Sequence, residues 1–196
     1  MRKLVYYIGT SLDGRIAGPR GEVDFFPTGD EEQTRAYATW INARHPETVP
    51  TALRARVGLA DAPNLRFDTV LMGHGTYRAA LDHGTPSPYA HLRQYVVSRT
   101  LGTAPDPAVT VVDGDPLALV RGLKREEGRD IWLCGGGRLA GALLPGIDEL
   151  IIKSYPVVAG SGTPVFDGEF DPARFAVTDR HTFPNDVTVT WFTARR

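Results

Sequence analysis

Short runs of β-branched and aromatic residues alternate along the chain with glycine-rich turns and amphipathic segments. The run Leu4-Val5-Tyr6-Tyr7-Ile8 predicts a buried first strand. Strands that alternate with helices favour a parallel sheet. Five more strands are predicted at 69–72, 94–97, 109–112, 130–134 and 149–155. Helices are predicted at 30–42, 76–81, 116–127 and 137–144, and the segment 45–64 fits a loop or a broken helix.

The last part of the chain follows a different pattern. Two strand-like segments, 175–180 and 187–193, flank the turn sequence Pro184-Asn185-Asp186 and predict an antiparallel hairpin. The predicted fold is therefore three-layer α/β, with a central mixed, mostly parallel sheet that ends in a C-terminal antiparallel hairpin. A length of 196 residues without repeats or a linker predicts a single domain.

Two of the predicted helices carry start signals. Thr28 and Glu31 have the three-residue spacing of a capping box for the first helix. Asp115, followed by Pro116, predicts the start of the third helix, and Gly128 is placed to end it.

Composition narrows the classes of function. Lysine plus arginine number 22 and aspartate plus glutamate number 23, so charge gives no basis for nucleic-acid binding. The longest apolar run, 4–8, is far short of the roughly 20 residues of a membrane helix, so no membrane partner is expected. A single cysteine, Cys134, fits a cytoplasmic location, and we interpret it as a small buried apolar residue. The 5 histidines are scattered, so no metal site is predicted.

Four polar or glycine-rich segments follow predicted strands directly. The strongest is Gly135-Gly136-Gly137, where glycines let the backbone approach a phosphate closely. The others are the loop 10–17, the helix start at 73–76 and the strand end at 98–99. Taken alone, each also fits an ordinary turn, a helix cap or a solvated strand end.

Together and in this order, these segments resemble the dihydrofolate-reductase-like superfamily. The closer resemblance is to the C-terminal reductase domain of the bifunctional riboflavin-biosynthesis deaminase/reductase and its stand-alone relatives. It spans residues 3–192. The residues that carry it are Ser11-Leu12-Asp13-Gly14-Arg15-Ile16-Ala17, Met72-Gly73-His74-Gly75-Thr76-Tyr77, Val97-Ser98-Arg99, Gly135-Gly136-Gly137-Arg138-Leu139 and Pro156-Val157-Val158-Ala159-Gly160-Ser161-Gly162.

The resemblance implies NADPH binding across the carboxyl ends of the strands. The glycine triplet would meet the pyrophosphate, and Ser98 with Arg99 would meet the 2′-phosphate. Asp13 would lie near cofactor and substrate as the candidate catalytic residue. Relatives are often homodimers, so a homodimer is expected. The residues that would bind the cofactor are Thr10, Ser11, Ile16, Ala17, Gly73, Thr76, Ser98, Arg99, Gly135, Gly136, Gly137, Arg138 and Leu139.

Three positions depart from the family pattern. His74 stands where the family usually has arginine or lysine, and Cys134 where the riboflavin reductases carry a substrate-binding glutamate. Dihydrofolate reductases place a carboxylate early in the first helix. The nearby acids Asp30, Glu31 and Glu32 do not match that register, and we interpret them as stabilising the start of their own helix.

The resemblance thus implies an NADPH-dependent reductase that transfers hydride to a small heterocyclic substrate. The candidate substrate is 5-amino-6-(5-phosphoribosylamino)uracil, the reductase substrate in riboflavin biosynthesis. The alternatives are a dihydrofolate reductase acting on a pterin, a non-catalytic NADPH-binding module and a flavin-binding protein of the same fold. Phe25, Phe26, Tyr37 and Trp40 fit either a substrate wall or the core, and the core is favoured for the last two.

Overall fold

A computed structural model describes residues 1–195. Its strands are β1 Leu4–Thr10, β2 Arg15–Ala17, β3 Phe67–Gly73, β4 Arg93–Val97, β5 Val109–Val112, β6 Asp130–Gly135, β7 Glu149–Ser154, β8 Thr163–Pro164, β9 Phe175–Thr182 and β10 Thr188–Ala194. Its helices are α1 Glu31–Arg44, α2 Thr51–Arg54, α3 His74–Asp82, α4 Pro116–Arg125 and α5 Gly137–Leu143. Single 3₁₀ turns at Pro46–Thr48, Ala55–Val57 and Leu144–Gly146 complete the helical segments.

Eight strands form one sheet in the order β5-β4-β3-β6-β1-β7-β10-β9. The six strands from β5 to β7 are parallel, and β10 runs antiparallel to both β7 and β9. The predicted mixed sheet with its C-terminal hairpin is confirmed. A second sheet of two short strands, β2 and β8, was not predicted, because two or three residues carry no readable alternation.

Residue alternation along the central strands separates two apolar layers. Val5, Tyr7 and Trp132 face one side of the sheet and pack with α1 and α3. Leu4 and Leu133 face the other side and pack with α4 and α5. Because successive side chains of a strand point to opposite faces, both faces of β1 are buried under helices. This gives the three predicted layers.

The start of α1 corrects one sequence prediction. The capping box joins Asp30 and Gln33, not Thr28 and Glu31: the Asp30 carboxylate accepts from Gln33 N at 2.8 Å, and the Gln33 side chain accepts from Asp30 N at 3.0 Å. The prediction missed this pair because Gly29 adopts a φ of +85°, which turns the chain before the helix starts. The remaining acids of the first turn are exposed, as their interpretation as helix-stabilising charges requires.

The start of α4 follows the prediction, since the Asp115 carboxylate accepts from Leu117 N at 2.9 Å. The helix ends at Arg125, three residues before Gly128. The ambiguous segment 45–64 is a broken helix, with α2 between two 3₁₀ turns.

Ion pairs connect the amino ends of the central strands. Arg2 is buried and forms an ion pair with Asp68. Lys3 lies 2.5 Å from Glu149, and Arg66 pairs with the same carboxylate. These contacts connect segments that are distant in sequence, so this edge of the sheet, here called the amino edge, is held by electrostatics as well as by the backbone ladder.

Candidate functional site

Six parallel strands end at the opposite edge of the sheet, here called the carboxyl edge. The strand register places Met72 beside Gly135 and Thr10 beside Ser154. All the candidate segments therefore meet at one edge, including the loop that contains Val157. In α/β sheets, ligands bind in the crevice outside the carboxyl ends of the strands.

The first glycines of the triplet lie between the loop after β1 and the start of α3. A methyl group on Gly135 would lie 3.4 Å from Thr76 Oγ1, and one on Gly136 would lie 3.7 Å from that oxygen and 3.9 Å from Ile16 Cδ1. A methyl group on Gly75 would meet nothing within 4 Å. The peptide bond between Gly135 and Gly136 is cis. The Thr76 hydroxyl therefore lies beside Gly135 and Gly136, where a ligand can approach the backbone.

The third glycine of the triplet has a packing role. A methyl group on Gly137 would lie 2.1 Å from Pro164 O, which no real side chain tolerates. Gly141 is equally close to the backbone of Asp167. For these positions the turn-packing alternative explains the glycine, because the segment 164–168 crosses directly over α5. The side chain of Leu139 lies in the core, so only its backbone faces outward.

The end of β4 presents one free cation. Arg99 is exposed and has no ion pair or hydrogen bond within residues 1–195. The Ser98 hydroxyl is buried and accepts from Thr100 N at 3.2 Å and from Leu101 N at 3.1 Å. Ser98 therefore shapes the turn that displays Arg99. The His74 ring joins the same turn, 3.2 Å from Thr100 Oγ1. Arg138, also exposed, lies 3.3 Å from the Asp167 carboxylate.

Asp13 holds two loops together. Its carboxylate accepts from Ser11 Oγ at 2.7 Å, from Ala159 N at 2.9 Å and from Gly160 N at 2.8 Å. The hydrogen bond from Ser11, followed by those from the two amides, lowers the pKa of Asp13 to about 2. An ionised acceptor of this kind cannot donate a proton near neutral pH. Its catalytic role stays a prediction, and its observed contacts join the loop after β1 to the loop after β7.

The aromatic residues of the first helix belong to the core, as favoured. Tyr37 is buried, and its hydroxyl lies 3.1 Å from that of Tyr155. Trp40 stacks on His181 with 4.6 Å between ring centroids. Phe25 and Phe26 are half-buried, and Phe26 packs on Tyr155 at 4.8 Å.

Sequence reasoning missed the lysine at the end of β7. Lys153 pairs with Gly9 in the ladder, and its amine lies 4.4 Å from the centre of the Tyr7 ring. Burial lowers the pKa of this amine to about 8. The available signal was its place in the strand: Lys153 is two residues from buried Ile151, so it points to the same interior face.

Cys134 borders this lysine and is half-buried against the apolar layer. Burial raises the pKa of its thiol to about 11, although a hydrogen bond with Tyr89 acts in the opposite direction. The thiol is therefore neutral at physiological pH, which agrees with its interpretation as an apolar residue.

Other parts of the surface give weaker indications of a binding site. An open depression of about 610 Å³ lies at the amino edge and is lined by Arg2, Lys124, Glu126 and their neighbours. Arg2 pairs with Glu126 inside it, and Lys124 pairs with Asp148 outside it. Within residues 1–195, no helix is long and apolar enough to cross a membrane.

Comparison with known proteins agrees with this geometry. Residues 2–189 match the family described as the RibD C-terminal domain. The uncharacterized protein YwjB of Bacillus subtilis (strain 168) is 32% identical over 167 residues, which cover 84% of this chain and 83% of YwjB. A crystal structure of a putative riboflavin biosynthesis protein from Shewanella sp. PV-4 is 25% identical, with a TM-score of 0.69 and 99% of both chains covered.

A Thermotoga maritima diaminohydroxyphosphoribosylaminopyrimidine deaminase/5-amino-6-(5-phosphoribosylamino)uracil reductase shows the same fold. Its TM-score is 0.62 at 15% identity, and the match covers 99% of this chain but 57% of that protein. The match of residues 2–189 is the stronger finding, since it includes every strand up to the first residues of β10. The chain belongs to the RibD C-terminal domain family, with its dihydrofolate-reductase-like fold.

Proposed function

We propose that the chain is an NADPH-dependent reductase of a small heterocyclic compound. The observation that carries the proposal is the convergence of four loop segments at the carboxyl edge in a chain of this family. Membership alone supports a reductase-like role in the riboflavin pathway, and the site supports a dinucleotide as the cofactor.

The residues at this edge fit NADPH. The backbone beside Gly136 is approachable, Thr76 offers a hydroxyl, and the space beside Gly75 is open. Arg99 is an exposed guanidinium without a partner in the described chain, and guanidinium groups bind phosphate dianions well. NADPH, when bound, would supply the hydride.

Each segment has a defined task in this proposal. The turn 135–137 and Thr76 would bind the pyrophosphate, and Arg99 would bind the 2′-phosphate. The loop 10–17 would cover the nicotinamide and exclude water. Asp13 would keep that loop in place, because it clamps the loop to the amides of 159 and 160. The protein thus binds and orients, as is usual for cofactor enzymes.

For the substrate, a pyrimidine of the riboflavin pathway is the leading candidate. A pterin is less well supported, because Glu31 and Glu32 are exposed on the first turn of α1 and Asp30 is used as its cap. No buried carboxylate of that turn faces the site. The predicted homodimer remains a prediction.

The proposal is tested by calorimetric titration with NADPH and, separately, with NADH. We expect NADPH to bind at micromolar concentration and NADH at least about tenfold more weakly, since only NADPH carries the phosphate for Arg99. Arg99→Ala should remove that difference. The matched control is Arg121→Ala, an exposed arginine of α4.

Turnover is then measured as NADPH oxidation with 5-amino-6-(5-phosphoribosylamino)uracil and with dihydrofolate. Oxidation with the uracil compound supports the leading substrate, and oxidation with dihydrofolate alone supports the pterin alternative. Binding without any oxidation favours a nucleotide-binding module. If neither nucleotide binds, the reductase proposal is wrong.

A further inference from the structure

We infer that Lys153 is the specificity-determining residue of the substrate pocket, and that it selects a planar substrate carrying a negatively charged oxygen. The inference rests on the proposed function, because it takes the carboxyl edge as the substrate site. It adds the chemical class that this site would recognise, and it favours a ring with an anionic oxygen over the neutral uracil ring of the leading candidate.

The first argument is that the ammonium has no anionic partner. Within residues 1–195, Lys153 forms no ion pair and no hydrogen bond. Its contact with Tyr7 is a cation–π interaction at 4.4 Å, which leaves the three N–H donors without acceptors. Lys153 is half-buried at the carboxyl edge, where β1 and β7 end. A charge that is partly removed from water is normally paired, so an unpaired one at this edge points to an anionic ligand.

The second argument is that the groups around Lys153 are neutral. Burial raises the pKa values of Tyr7 on β1 and of Cys134 on β6. The Tyr89 hydroxyl forms a hydrogen bond with the Cys134 thiol, and burial raises its pKa as well. The ring of His45, just after α1, has a pKa lowered to about 4. The Glu47 carboxylate also acts on Tyr7, but it already accepts hydrogen bonds from the amides of 65, 66 and 67. Among Tyr7, Cys134, Tyr89 and His45, the lysine is therefore the charged group from about pH 5 to pH 8, and an anionic oxygen would pair with it.

The third argument concerns the aromatic side chains that surround the lysine. Gly9 lies next to Lys153 in the ladder, and a methyl group there would be 3.1 Å from the Tyr155 ring and 3.8 Å from Lys153 Cε. Glycine at this position therefore lets the Tyr155 ring and the Lys153 stem pack against the backbone where β1 and β7 end. The rings of Tyr7 and Tyr89 both pack on Trp132, and the partly exposed Tyr89 gives this end of the cluster an aromatic surface that suits a flat ligand.

The same lysine gives a direct experimental signal. The sequence has three lysines: Lys3, Lys124 and Lys153. The first two pair with Glu149 and Asp148 at the amino edge. Lysine labelled with ¹³C at Cε should therefore give three NMR signals, and the signal that disappears in Lys153→Met identifies the residue.

The test uses uracil and barbiturate as probes. The two rings have similar size, but barbiturate carries an anionic ring oxygen at pH 7 and uracil is neutral. We expect barbiturate to bind at least about tenfold more tightly, as measured by calorimetry, because a charge-assisted hydrogen bond is gained. Barbiturate should also raise the titration midpoint of the Lys153 signal, and its binding should weaken as pH rises past about 8.

Variants separate recognition from folding. Lys153→Met should remove the preference for barbiturate, Lys153→Arg should retain part of it, and Lys3→Met at the amino edge should leave it unchanged. If Lys153→Met does not fold, the titration of the wild-type Lys153 signal and the binding measured with Lys153→Arg still test the inference. Equal affinity for both probes, no binding of either, or an unshifted Lys153 signal would overturn the inference.

NADPH binding is measured on the same samples. If wild type and Lys153→Met bind NADPH equally while barbiturate shows no preference, the inference fails and the proposed function stands. If NADPH does not bind but barbiturate is preferred through Lys153, the pocket is real and the reductase proposal fails.

Discussion

The two edges of the central sheet belong to the same strands and are built in opposite ways. At the amino edge, Arg2, Lys3 and Arg66 all pair with carboxylates. At the carboxyl edge, Arg99 and Lys153 have no such partner within residues 1–195. Paired charges stabilise a fold, and an unpaired charge at the edge where ligands bind is available to one. The comparison assigns stability to one edge and binding to the other.

The largest expected effect tests the amino edge. Arg2→Ala should lower the free energy of unfolding by about 3 kcal/mol, because it leaves Asp68 without its buried cation. Urea denaturation measures the loss, and NADPH affinity should not change at temperatures where the variant is folded. The control Arg35→Ala removes an exposed pair with Glu31 and should cost less than about 0.5 kcal/mol. A loss as small for Arg2 would contradict the comparison.

The second prediction concerns the single thiol at the carboxyl edge. Burial raises the pKa of Cys134 from 9.0 to about 11, so at pH 8 alkylation by iodoacetamide should be about 100-fold slower in the native protein than in urea. Tyr89→Phe should slow the native reaction further, since the hydrogen bond from Tyr89 lowers that pKa. Equal native and denatured rates, followed by mass spectrometry, would show that the thiol is not in an apolar setting.

The third prediction sharpens the comparison within the carboxyl edge. Gly137→Ala should destabilise the protein by about 2 kcal/mol, because its methyl group would overlap with Pro164 O. Gly122→Ala is the control: it lies in α4 with nothing within 4 Å, and it should be neutral or stabilising by up to about 1 kcal/mol. Thermal unfolding of both variants gives the answer. Similar stabilities would remove the packing role of the third glycine.

The smallest expected effect concerns the clamp made by Asp13. Asp13→Asn should increase hydrogen exchange at the amides of Ala159 and Gly160 by about tenfold, while Asp24→Asn, also exposed, should not. Because the pKa of Asp13 is lowered, the clamp is fully present above the usual aspartate pKa of 3.8 and is lost as pH falls through about 2. Protection that already fades between pH 7 and pH 5 would rule out this carboxylate as its source.

The sequence predicted the large elements well because their signals are local and long enough. Both the apolar run 4–8 and the spacing of Leu117, Val120 and Leu123 extend over several residues, so tertiary context does not override them. The strands β2 and β8 are too short for such a signal. The cap of α1 was misplaced by two residues because Gly29 changes the chain direction, and a spacing rule does not contain that conformation.

For the site, the sequence predicted the segments, but not which residues of each segment pack in the interior and which are available to a ligand. Gly137 is tightly packed, whereas Gly136 has room for a methyl group, and this difference depends on where the segment 164–168 crosses, which is a long-range contact. Lys153 was missed for the same reason: its neighbours Tyr7 and Cys134 come from other strands. Chemistry that depends on contacts across the sheet is not readable from one segment.

The position of β1 in the sheet has a consequence for synthesis. The first strand lies between β6 and β7 in the sheet. Leu4 can therefore pair with Ile131, and Val5 with Glu149, only after those later residues have been synthesised. At a translation rate of about 5–20 residues per second, this delay is on the order of ten seconds. Meanwhile an uncharged, aromatic and β-branched run at 4–8 has no partner, and such a segment readily pairs with other chains. The strand that later forms the centre of the core thus stays without its partners for most of the time in which the chain is made.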